Sequence, residues 1–195
     1  MRWDSLFSDL EGQFSDARAL EAEAEITERA RVELAGIELG DRLRGALGAE
    51  IKVVLIDGRV LRGRLSHVGS EWLVLTEKVR QWLLPLSSIL SYQGLGRVAL
   101  KSESRIQQSL GIASALRALA RDRAELVVHL KVAAGDGYKV QGVMDRVGRD
   151  YFDLAVLQHG EVRRAGNVAT VMTIPFGSLA ALCSAGNQSF SSGSG

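Results

Sequence analysis

Residues 57–75, DGRVLRGRLSHVGSEWLVL, decide the fold, because the chain writes them twice: residues 136–154 read DGYKVQGVMDRVGRDYFDL. At a constant offset of 79, Asp57/Asp136, Gly58/Gly137, Gly63/Gly142, Val68/Val147, Gly69/Gly148 and Leu75/Leu154 are identical, and Trp72 meets Tyr151. The match extends outward on both sides. Glu50–Leu55 resembles Glu125–Leu130, and Leu84-Pro85-Leu86-Ser87-Ser88-Ile89 resembles Ile174-Pro175-Phe176-Gly177-Ser178-Leu179, so the only two prolines occupy equivalent places. Self-similarity in one order, over this many positions, marks a repeated structural unit.

Each copy predicts the same local structure. A short helix (about 41–47 and 114–121), opened by Asp41 or Ser114 as N-cap, leads into a β-branched strand over 51–56 or 126–132. Asp-Gly supplies a tight hairpin turn. The next strand, 60–68, carries Gly63 in its interior, where glycine marks a bulge or bend. Alternation there puts Arg62 and Arg64 in solvent, with Leu61, Leu65 and His67 on the opposite face and the two leucines in the core. Further strands follow over 72–76, 81–85 and 88–93. A helix followed by about five short bent strands predicts a small barrel.

Helix, strand, Asp-Gly turn, bent strand with central glycine and apolar strand together resemble the Sm-like (LSm/Hfq-like) small-barrel family, over residues 37–94 and 110–184. The arrangement also resembles conserved proteins of high-GC bacteria. The expected fold class is therefore α+β, mainly β: two tandem Sm-like or SH3-like small β-barrels preceded by an acidic helical arm. The expected divisions are an arm over 1–36, a first barrel with its lead-in helix over 37–95, a linker over 96–109, a second barrel over 110–184 and a disordered tail over 185–195. The family's RNA pocket is not inherited with the fold: where uridine-binding members carry Asp-x-x-x-Asn, this chain has Gly69 and Leu73, then Gly148 and Phe152.

Charge is divided unevenly. Residues 1–50 hold six arginines against twelve acids, a net of −6, and the remainder holds eighteen bases against eleven acids, +7. The acidic segment reads as helix, with Trp3, Phe7, Leu10, Phe14 and Ala17 on one stripe. The net charge of +1 over 195 residues removes the bulk-charge argument for nucleic acid. One cysteine, no apolar run of membrane length and no leader pattern fit a reducing cytoplasm.

No catalytic constellation emerges. His67, His129 and His159 lack metal spacing, Cys183 reads as a small buried hydrophobe, and no glycine pair forms a phosphate loop. The expectation is a protein that is not an enzyme and uses no cofactor and no metal. The leading function is protein interaction or scaffolding, with a protein partner or self-association; no membrane or small-molecule substrate is expected. The alternative is a divergent RNA binder using arginine-rich surfaces. Candidate contacts for either are Arg62, Arg64, Arg80 and Trp82 in the first copy, with Arg149, Tyr151, Arg163 and Arg164 in the second. The last two sit in an eleven-residue insertion between Leu154 and Ile174.

Overall fold

The computed structural model describes residues 23–25, 27–28, 31–32, 34–101, 110–132, 138–157 and 168–184. The chain divides into a unit over 1–39 and a larger one over 40–195. In the first, the described residues between 23 and 35 are helical, and Thr27 donates its hydroxyl to the Glu23 carbonyl at 2.8 Å. The aromatic stripe from Trp3 to Ala17 lies outside the described residues.

The second unit is mainly β. In chain order it comprises α1 (Leu39–Gly45), β1 (Glu50–Leu55), β2 (Val60–Val68), β3 (Trp72–Glu77), β4 (Arg80–Pro85), a 3-10 turn (Leu86–Ser88) and β5 (Ile89–Gln93). It continues with α2 (Ile112–Asp122), β6 (Glu125–Leu130), β7 (Tyr138–Val147), β8 (Tyr151–Leu157), β9 (Val168–Pro175), a second 3-10 turn (Phe176–Ser178) and β10 (Leu179–Ser184).

The expected pair of small barrels, closed or nearly closed, is not what forms. All ten strands join one open sheet in the order β5-β1-β2-β3-β4-β10-β6-β7-β8-β9. Each half has the same internal order, but neither closes on itself. β4 pairs instead with β10 of the other half, Leu83 opposite Leu182 and Trp82 opposite Cys183. The reason is physical: period-two patterning chooses which face of a strand is buried, and says nothing about which free edge its backbone will meet.

Two apolar cores flank this junction, and the period of two divides the junction residues between them. Trp82 and Leu84 enter one core together with Ala181 and Cys183 from β10, whereas Leu83 enters the other beside Leu182. The cores are thereby interlocked across the seam.

Local chemistry accounts for the elements. In the β1–β2 turn Gly58 alone takes a left-handed conformation, φ +82°. Asp57 stays outside that region and closes the turn by accepting the Arg59 amide at 3.1 Å. Gly63 does not form the bulge: it pairs with Ile51, and a side chain there would lie 2.7 Å from the Thr76 carbonyl of the adjacent strand. Gly142 stands in the same relation to the Ala155 carbonyl, at 2.4 Å. The bulges fall three residues on, at Ser66 and Asp145, where the register with β3 and β8 shifts. That shift breaks the alternation and turns His67 to solvent, while Leu61 and Leu65 are buried as expected.

Helix starts also differ from expectation. Asp41 and Ser114 lie inside the helices; α2 begins after Gly111, and the Glu71 carboxylate accepts the Ile112 amide at 3.0 Å. The start of the expected linker is tied down, since Leu100 donates to the Asp41 carbonyl at 2.9 Å and Arg42 donates to the Gly96 carbonyl at 2.6 Å.

Candidate functional site: the seam and the two free edges

The seam is held by more than its ladder. Ser88, fully buried, donates its hydroxyl toward the Pro85 carbonyl at 2.7 Å and the Ala180 carbonyl of β10 at 2.8 Å. The Gln81 amide donates to the Ser184 hydroxyl at 3.3 Å. Behind the ladder lies a polar cluster. Arg59 forks onto the Asp57 carboxylate at 2.9 and 2.5 Å and donates to His129 Nδ1. His129, only 5% exposed, packs against the Trp82 ring at a centroid distance of 5.3 Å, and its Nε2 faces Cys183 Sγ at 3.9 Å.

This cluster has the residue types of a Cys–His pair but the wrong proton. Because Nδ1 accepts from a guanidinium, the neutral ring carries its hydrogen on Nε2 and has no lone pair to offer the thiol. Burial, seconded by the Arg59 charge, pulls His129 down to about 4, and burial pushes the Cys183 thiol up. For Asp57, burial raises the carboxyl, but the hydrogen bonds and charge of Arg59 outweigh it and hold the group below its ordinary value. The chemistry is that of a buried polar clip. The sequence gives His129 no metal or catalytic spacing, and the Arg59 contact, 70 positions away, has no local signal beyond the Asp57-Gly58-Arg59 turn.

The candidate contacts scatter. Arg62 and Arg64 are exposed on β2. The Arg80 guanidinium sits 6.0 Å from the centroid of the Trp82 ring, and that ring is buried, only 7% of the residue remaining exposed, with its N–H directed to Glu77 at 3.4 Å. Arg149 is exposed, and the half-buried Tyr151 folds its ring over Gly148, where a side chain would meet it at 2.4 Å. Trp72 covers Gly69 in the same way. Arg163 and Arg164 lie outside the described residues. The structure therefore brings Arg80 and Trp82 together at the seam and leaves Arg62, Arg64 and Arg149 apart from them.

At the ends of the sheet stand β5 and β9. Among the described residues neither has a second strand partner. Neither strand contains a charged residue, and each presents an exposed aliphatic side chain, Leu90 at 64% and Val171 at 57%. Edge strands are ordinarily protected by charge, proline or brevity; β9 is eight residues long, with its proline only at the last position.

Among the described residues no group of side chains could hold a metal ion, and no helix is long and apolar enough to cross a membrane. No protein-family model, curated protein or solved structure matches the chain. The fold class rests on the ten-stranded antiparallel sheet itself.

Proposed function

We propose that the protein is a non-enzymatic assembly protein that pairs with further copies of itself through the outer edges of β5 and β9. One observation carries this reading: β9 and β5 are the repeat counterparts of β4 and β10, the two strands that already pair with each other at the seam. With the prolines aligned, Leu83 corresponds to Thr173 and Leu182 to Tyr92. The seam's own register, continued between copies, sets Tyr92 of one copy opposite Thr173 of the next. Ser178 takes the place of Ser88, with the Leu90 carbonyl standing where Ala180 stands. The contact joins two different surfaces, so it propagates head to tail into a ring or a filament.

Two further points support a binding role over chemistry or RNA. The His129–Cys183 pair is oriented against nucleophile activation, and the buried Trp82 offers no face for a base to stack on.

The test is light scattering of the full chain across the micromolar range, with Leu90→Lys and Val171→Lys. Wild type should form higher assemblies, and each variant alone should be monomeric. An equimolar mixture should give dimers, since each variant retains the edge that the other has lost. A monomeric wild type, or assemblies indifferent to both substitutions, would overturn the proposal.

A further inference from the structure

A second feature, independent of the sheet edges, is an open cleft of about 650 Å³ between α2 and β7, lined by Ser114, Arg117, Ala120, Arg121, Arg123, Asp145 and Val147. Its volume falls within the range of about 300–1,000 Å³ usual for small-molecule sites. Three exposed arginines line it. Arg117 and Arg121 are four apart on α2 and so share a face, and Arg123 follows in the left-handed residue that ends the helix. Arg117 is oriented by donating to the Gly148 carbonyl at 3.2 Å.

The corresponding place in the first half shows that these charges are not required by the fold. There the partner of Arg117 in the repeat is Arg44, which is consumed by an ion pair with Asp41 at 2.5 Å and a hydrogen bond to the Leu100 carbonyl at 3.1 Å. Asp41 is replaced in the second half by Ser114, so the i,i+3 ion pair of the first half has no counterpart at Arg117. The first helix also stops at Gly45, whereas α2 runs on to Asp122 and adds Arg121. The bulge differs in the same sense. Ser66 is satisfied, donating to the Val74 carbonyl at 3.1 Å and accepting from Thr76 at 3.2 Å. Its counterpart Asp145 is exposed, joins no ion pair among the described residues, and lines the cleft beside three cations.

We infer that this cleft binds a ribonucleoside monophosphate. Arginines clustered at one site suit a phosphate, because the planar fork gives paired charge-assisted hydrogen bonds. A bare inorganic anion would be repelled by Asp145. A carboxylate inside an anion site is favourable only toward a ligand that also brings hydrogen-bond donors, as sugar hydroxyls or a base amine do. Ala120 and Val147, both half-buried, supply apolar wall for a flat base. Arg121 and Arg123 lie at the helix C-terminus, where their charge also opposes the negative end of the helix dipole.

The experiment is titration calorimetry of the full chain with AMP, adenosine and inorganic phosphate, against the double variant Arg121→Ala with Arg123→Asn; asparagine tolerates the left-handed backbone at 123. AMP should bind saturably and at least tenfold more tightly than adenosine or phosphate. The double variant should lose at least tenfold in AMP affinity, Asp145→Asn should lose a few-fold, and Arg62→Ala, outside the cleft, should bind as wild type. AMP binding no tighter than adenosine, no loss in the double variant, or an equal loss in Arg62→Ala would each overturn the assignment.

Discussion

The two half-sheets share a strand order and differ in what they leave unfinished. In the first half Arg44 is paired, Ser66 is satisfied, and the last hairpin strand, β4, is covered by β10. In the second half the matching arginine and bulge residue line an open cleft, and the matching strand, β9, is an end of the sheet. A duplicated unit thus carries its own control: where one copy closes an interaction internally, the other shows the same backbone with that interaction left open. The edge pairing and the cleft ligand proposed above rest on these differences.

The largest expected difference is between equivalent strand positions. Leu83→Ala removes a side chain buried at the seam and should cost about 2–5 kcal/mol in urea unfolding. Thr173→Ala, at the same repeat position on the free edge, removes only an exposed hydroxyl that donates to Asp153 at 2.7 Å, and should cost about 1 kcal/mol or less. Equal losses would mean that β9 is as enclosed as β4.

Next comes the polar clip, which the second copy does not reproduce at its own free edge. His129 titrates near 6.5 when unfolded and at about 4 in the fold. Between those values the unfolded chain binds a proton that the native state refuses. The contribution is therefore complete above about pH 6.5 and is lost as pH falls toward 4, by roughly 3 kcal/mol. Asp57, held low, acts in the same direction at still lower pH, its contribution fading as pH drops through its folded value. Stability measured by urea unfolding at a series of pH values should show this decline, and His129→Phe should flatten it between pH 6.5 and 4. An unchanged slope in the variant would detach His129 from the acid response.

The smallest effect belongs to the exposed arginines of β2. Arg62→Ala and Arg64→Ala should each change stability by no more than about 0.5 kcal/mol and leave the assembly state of the protein unaltered in light scattering. A shift in assembly would extend the interaction surface beyond the strand edges.

These comparisons also show what the amino-acid order discloses. Strand positions, the buried Leu61 and Leu65, and the solvated Arg62 and Arg64 follow from local alternation, which is a property of a few neighbouring residues. The bulge or bend expected at Gly63 falls instead at Ser66, because glycine in a strand also serves a close backbone approach, and here the Thr76 carbonyl requires one. Barrel closure was misjudged because β4 and β10 lie about a hundred residues apart, and edge-to-edge backbone pairing leaves no side-chain signature. Arg117 and Arg121 fall within the helix expected over 114–121 but are not among the candidate contacts, because their meaning depends on Asp145 arriving from the bulge of another element.

The seam has a consequence for the order in which the molecule is made. The central strand of the sheet on its second side, β10, is the last of these ten strands in chain order, although its partner β4 was complete about a hundred residues earlier. Until Leu182 emerges, β4 is paired only with β3 and its other edge, with Leu83, is uncovered, and the interlocked cores each lack residues that the other half will bring. Contacts of such long sequence separation form slowly, and an uncovered apolar strand edge is an opportunity for wrong pairing while it waits. Truncating the chain before Leu179 would consequently not trim the sheet at its margin; it would cut it through the middle.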